Sequence, residues 1–242
     1  MSEHRTTATD NTLLENIKNA YRRISSAAIR SGRSPFDVKL IAVTKTVGTE
    51  RIKEAVELGL RAFGENRVQE AKVKISNLRS QISNSVIEWH LIGHLQKNKA
   101  KTAIRLFDVI QTLDSIELAA LLNKCAEREG KSQRVLIQVK LSEEEAKHGV
   151  EPKKLMELIE AVSKMENLML EGLMMMPPFF EDPEMARPYF RRLRELRDEA
   201  ERRGYRFPEL SMGMTNDFEI AILEGATMVR IGTALFGERD KT

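Results

Sequence analysis

Lys45 ends a short apolar run, Leu40-Ile41-Ala42-Val43-Thr44-Lys45, and Thr46-Val47-Gly48-Thr49 follows before a helical pattern begins. The run is continuous rather than alternating and rich in branched residues, so it reads as a strand buried in a parallel sheet. A lysine at the C-terminal end of such a strand points into the mouth of an α/β fold. There its ammonium loses water, its pKa can fall, and the neutral amine can attack a carbonyl to form a Schiff base. Ser211-Met212-Gly213 and Gly232-Thr233 offer complementary chemistry, each at the end of a strand pattern. Small residues let backbone N–H groups approach an anion closely, and the hydroxyls donate further hydrogen bonds. Arg230 stands inside the apolar run Met228-Val229-Arg230-Ile231, where an unpaired guanidinium is costly and needs an acceptor. Glu65 or Asp114 is one candidate acceptor; a ring nitrogen of a bound heterocycle is the other.

Other reactive side chains carry weaker signals. His90 and His94 lie four apart, but Gly93 interrupts any helix between them, so the helical H-E-x-x-H zinc arrangement is absent. The expectation is polar contacts at a rim and no metal site. Met174-Met175-Met176 suits flexible packing, and Pro177-Pro178 a rigid turn.

These residues need elements to position them. Strand patterns fall at 40–45, 62–66, 88–93, 109–114, 134–141, 170–176, 209–213 and 227–232. Helical patterns lie at 50–58, 67–78, 97–103, 115–129, 152–165, 183–203 and 216–223, after an opening helix over 11–31. Ser115 suits an N-cap, and Pro152 and Pro183 suit first-turn positions. This alternation predicts a single α/β domain over 11–242, a (β/α)₈ TIM-type barrel with an extra N-terminal helix. An open doubly wound sheet is the runner-up. In the barrel, chemistry gathers at the C-terminal strand ends, and the loops after strands seven and eight are the usual phosphate site. Lys147-His148-Gly149 stands near the fifth of those ends.

The 39 basic and 36 acidic residues leave a net charge of +3, and they interleave along helices as solvated faces rather than nucleic-acid stripes. No nucleic-acid partner is expected. The one cysteine, Cys125, falls on an apolar helical stripe. Without a disulfide framework the chain suits a reducing cytoplasm. Residues 1–10 are polar with no apolar h-region, so they read as a disordered tail, and no stretch is long enough to span a membrane.

The whole set resembles the pyridoxal phosphate homeostasis protein family, whose fold is like the N-terminal barrel of alanine racemase. The resemblance rests on Ala42-Val43-Thr44-Lys45, Phe63-Gly64-Glu65-Asn66 with Gln69-Glu70, Trp89-His90-Leu91-Ile92-Gly93 with Leu95-Gln96 and Asn98-Lys99, Ser211-Met212-Gly213-Met214, and Met228 through Ala234. It implies a chain that holds pyridoxal 5′-phosphate (PLP) reversibly as a Schiff base on Lys45 and passes it to apo-enzymes by transient contact. Ser211, Met212, Gly213, Gly232 and Thr233 would hold the phosphate, Arg230 would face the pyridine nitrogen, and Asn66 would lie beside the ring. Many relatives carry a second lysine two residues after the first, where this chain has Val47, and Ser in place of Thr44 or Thr215.

An always-cationic arginine donates and never accepts, so it favours the unprotonated ring nitrogen. Such a ring stabilises a carbanion poorly. The expectation is a monomeric PLP carrier without efficient catalysis; a PLP-dependent amino-acid racemase is the alternative. Racemisation needs a second acid/base group on the opposite face, and Tyr21, Tyr189 and Tyr205 all fall in or beside helical patterns. A Schiff-base aldolase fits less well, because its lysine stands nearer the middle of such a barrel.

Overall fold

The computed structural model describes residues 8–79, 87–142 and 148–237. Most of the polar stretch 1–10 and all of Lys147 lie outside them. Helix α1 (Ala8–Arg30) comes first. It buries Leu13, Ile17, Ala20, Ile24, Ala27 and Ala28, a three-and-four spacing that places them on one stripe. Burying each large apolar side chain contributes about 1.5–3 kcal/mol. The stripe packs on the last two helices of the barrel.

Eight parallel strands then close on themselves in chain order. They are β1 (Lys39–Val43), β2 (Ala62–Glu65), β3 (Glu88–Leu91), β4 (Val109–Leu113), β5 (Gln133–Gln138), β6 (Leu168–Met174), β7 (Glu209–Met214) and β8 (Met228–Ile231), with β8 pairing back onto β1. The helices between them are α2 (Thr49–Glu57), α3 (Val68–Arg79), α4 (Ala100–Leu106), α5 (Ile116–Arg128), α6 (Pro152–Ser163), α7 (Arg187–Arg202) and α8 (Phe218–Leu223). Ser115 caps α5 by accepting from the Leu118 amide at 3.3 Å. A short α9 (Thr233–Phe236) follows β8; four residues are too few for periodicity to reveal.

The barrel resolves why its strands carry no polar edge. Alternate residues point inward and outward. Outward residues such as Ala42, Phe63, Leu91 and Ile137 join the helices in the main core. Inward residues Ile41, Ala62, Val109, Leu136, Met174 and Met228 fill the barrel axis. Below them Lys39, Glu88, Arg134 and Glu171 form a linked ion cluster. No described helix is long and apolar enough to cross a membrane.

Candidate functional site

Strand β1 stops at Val43, so Lys45 stands in the turn beyond it rather than on the strand. The Val47 amide donates to the Thr44 carbonyl at 2.9 Å, and Thr46 takes a positive φ of 63°. A non-glycine residue there costs about 1–2 kcal/mol, so other contacts must hold the turn. They come from β2 and α3. The Thr46 amide donates to Glu70 Oε1 at 2.6 Å. Lys74 Nζ donates to the Thr44 carbonyl at 2.5 Å, to Glu65 Oε1 at 3.0 Å and to Glu70 Oε1 at 2.6 Å. Thr44 Oγ1 donates to Glu65 Oε1 at 2.6 Å. Burial pushes the Glu65 carboxyl up, while Thr44 and Lys74 oppose that rise. Lys45 is thus flanked on both sides by pinned residues. Lys74 escaped the sequence reading because lysines on helices are ordinarily solvated. Its spacing from Ala71, Ile75 and Leu78, all buried, was the available signal.

Arg230 corrects a second expectation. Neither Glu65 nor Asp114 is its acceptor; Glu65 serves Lys74, and Asp114 lies by His94. Arg230 Nη1 donates to Ser211 Oγ at 2.6 Å and Nη2 to the Met175 carbonyl at 2.8 Å. Among the described residues no carboxylate pairs with it. Burial lowers its pKa to about 10, opposed by Asp217, so the guanidinium stays charged at neutral pH. His90 is likewise not at the rim: it is fully buried on the barrel axis.

One chain of directed hydrogen bonds joins these groups. Arg230 only donates, so Ser211 Oγ accepts from it and gives its own proton to Gln111 Oε1 at 2.6 Å. That orients the amide with Nε2 toward His90 Nδ1 at 2.9 Å. Nδ1 must accept, leaving the proton on Nε2, which lies 3.4 Å from Glu88 Oε2. That last step is an electrostatic contact, too poorly aligned for a hydrogen bond. Burial lowers the His90 pKa, against the pull of Glu88. The chain therefore runs from the ion cluster at the barrel floor to Arg230 at the mouth.

The loops after β7 and β8 meet. β7 carries one extra residue against β8 between Ser211 and Met214, a bulge that bends the strand end. Gly213 sits in it at φ +92°, and a Cβ there would stand 2.6 Å from the Ala221 methyl. The glycine lets α8 close onto the strand. Beyond the bulge Thr215 Oγ1 accepts from the Gly232 amide at 3.4 Å. Asp217 Oδ1 accepts from the Met214 amide at 2.6 Å. Gly232 precedes α9, and its carbonyl accepts from the Leu235 and Phe236 amides; the earlier amides of Thr233 and Ala234 have no acceptor within the helix.

Lys45, Asn66, Arg230, Gly232 and Thr233 all line one cavity of about 270 Å³. Ser211, Met212 and Gly213 do not reach it; Met214, Thr215 and Asn216, the next three residues, do. Ser211 instead holds Arg230 from inside the barrel. Asn66 is placed by Gly93, where a Cβ would fall 2.2 Å from the Asn66 carbonyl oxygen. Met176, Pro178, Phe179 and Phe180 form an apolar wall, tied down where Asn216 Nδ2 donates to the Phe180 carbonyl at 3.0 Å. None of the three tyrosines lines the cavity.

A family profile of the alanine racemase N-terminal domain matches residues 13–240. The pyridoxal phosphate homeostasis protein of Aquifex aeolicus is 47% identical over 226 residues, covering 93% of this chain and 97% of the relative. The chain belongs to the pyridoxal phosphate homeostasis protein family. Among solved structures, PipY of Synechococcus elongatus, determined with PLP bound, is similar at TM-score 0.81 and 36% identity, covering 93% of this chain and all of PipY (100%). Alanine racemase of Clostridium difficile shares the fold at TM-score 0.72 and 17% identity, with 96% of this chain but only 57% of the racemase covered. The homeostasis relatives are thus matched over nearly their whole length, whereas only 57% of the racemase is covered.

Proposed function

We propose that this chain binds PLP in the cavity below Thr233 and keeps it available for intracellular vitamin B6 homeostasis. The observation that carries this is one cavity holding a primary amine, Lys45, together with the joined loops of Thr215, Gly232 and Thr233 and the guanidinium of Arg230. That donor set fits a phosphorylated aromatic aldehyde. When bound, PLP supplies an aldehyde that condenses reversibly with an amine. Lys45 is the anchoring amine. The hydroxyls of Thr233 and Thr215 and the Thr233 amide supply donors for the phosphate beside Gly232 and Asn216, while the Met214 amide is held by Asp217. This assignment extends the phosphate loop beyond Ser211-Met212-Gly213, which shape it from behind. Arg230 presents donors to the ring nitrogen and withholds a proton from it.

The same residues argue against efficient racemase chemistry. Arg230 denies the ring its electron-sink character, and no cavity tyrosine offers an opposing base. A missing general acid–base group lowers a rate by about 10²–10⁴-fold. Holding the aldehyde and releasing it to apo-enzymes on transient contact, as a monomer, is the reading that remains. The test is a titration of the purified chain with PLP and with pyridoxal, followed by solvent-deuterium exchange into L-alanine. Saturable PLP binding, much weaker pyridoxal binding and no turnover are expected. Equal affinities, or exchange at ordinary enzyme rates of about 1–10³ s⁻¹, would overturn the reading.

A further inference from the structure

Three side chains outside the cavity meet at the ends of neighbouring strands. His94 follows β3, Asp114 follows β4, and His148 returns to the mouth after β5. One ligand atom of each lies within 4.8 Å of the others. His94 Nδ1 stands 3.6 Å from Asp114 Oδ2, and the two imidazoles stack with centroids 3.7 Å apart. More than fifty residues separate the histidines in sequence, so spacing gave no hint, and the expectation of no metal site came from His90 and His94 alone.

The backbones beneath these side chains are fixed. Thr112 Oγ1 donates to the Gly93 carbonyl at 2.9 Å. Gln138 Nε2 donates to the His148 carbonyl at 3.0 Å, and the Val150 amide donates to the Gln138 carbonyl at 2.8 Å. The side chains themselves have room, because both histidines are exposed.

We propose that His94, Asp114 and His148 form a three-ligand site for a borderline divalent transition ion such as Zn²⁺. Two imidazoles and one carboxylate are a donor set that Zn²⁺ and its neighbours favour, and three protein ligands leave open positions. Zn–N and Zn–O bonds of about 2.0–2.2 Å require the ligand atoms to draw together and the rings to leave their stack, so that each in-plane lone pair points at the ion. His94 and His148 line one cleft with Gln138, Lys140 and Met176. Met176 also lines the Lys45 cavity, which sets the two sites side by side. A purely structural rim cluster would give the same stack without metal affinity, and that difference is measurable.

The experiment uses the untagged full chain. Zn²⁺ is titrated by calorimetry, and Co²⁺ by visible absorption. One ion per chain is expected, with Co²⁺ ligand-field bands. His94→Ala and His148→Ala should each weaken binding at least about tenfold, since losing even an outer-shell partner costs about 10–100-fold. Imidazole NMR of the wild-type chain gives a second reading independent of any variant's folding: Zn²⁺ should shift His94 and His148 but leave the buried His90 in place. Absence of saturable binding, binding unchanged in both variants, or shifts confined to His4 and His90 would each overturn the proposal.

Discussion

Replacing Ser211 by alanine probes how the barrel interior holds Arg230. The hydroxyl accepts from the Arg230 guanidinium and donates to Gln111, both at 2.6 Å and both buried. A hydrogen bond to a charged group contributes about 1.5–3 kcal/mol, and an acceptor left unsatisfied in the interior costs about 1–3 kcal/mol. The two losses overlap, and the cavity lets water reach Arg230, so Ser211→Ala should destabilise the fold by about 3 kcal/mol. Gln111→Leu severs the same chain one step lower. Because both changes act on one directed series of bonds, the double variant should lose about 1–2 kcal/mol less than the sum of the singles. Urea unfolding of the four proteins measures this cycle, and PLP titration of each reports the knock-on at the mouth, where Arg230 should bind the ring less well. Additive losses within about 0.5 kcal/mol, or a Ser211→Ala protein as stable as wild type, would refute the relay.

Three further outcomes follow from the geometry. Lys74→Met leaves the fully buried Glu65 carboxylate without its cation, with only the Thr44 hydroxyl still donating to it, which should cost about 3 kcal/mol. Adding Glu65→Gln should recover part of that loss in the same unfolding assay. Burial alone would raise the Glu88 carboxyl, but contacts with His90, Lys39 and Arg134 outweigh it and hold it below the usual range. Its stabilising contribution is therefore complete above the unfolded carboxylate pKa of about 4.3 and is lost as pH falls below it. Thermal melts from pH 6 down to 3 should decline more steeply for wild type than for Glu88→Gln. Thr233→Val removes a hydroxyl from the cavity rim. It should weaken PLP about tenfold or more, the equivalent of one charge-assisted hydrogen bond, while leaving pyridoxal binding unchanged by titration.

The barrel was legible because its strands are short continuous apolar runs and its helices keep a clear period. Each of the eight strands begins within two residues of its predicted start. That Lys45, Asn66, Arg230, Gly232 and Thr233 line one cavity was legible because strand ends meet at the mouth of a barrel. Ser211 was placed one layer too high. A bulge adds a residue before Met214, and bulges leave no mark in apolar periodicity. The partners of Arg230 were missed for a related reason. Its acceptors are a serine hydroxyl and a main-chain carbonyl, and no charge pattern advertises either. Lys74 and His148 depend on contacts between distant segments, which a linear reading does not supply.

Borohydride reduction of the PLP-loaded chain followed by peptide mass mapping identifies the anchoring amine most directly. One pyridoxyl phosphate label per chain is expected, on Lys45, with the labelled peptide absent in Lys45→Ala. A label mainly on Lys147, Lys74 or another lysine, or no stable label at all, would contradict it.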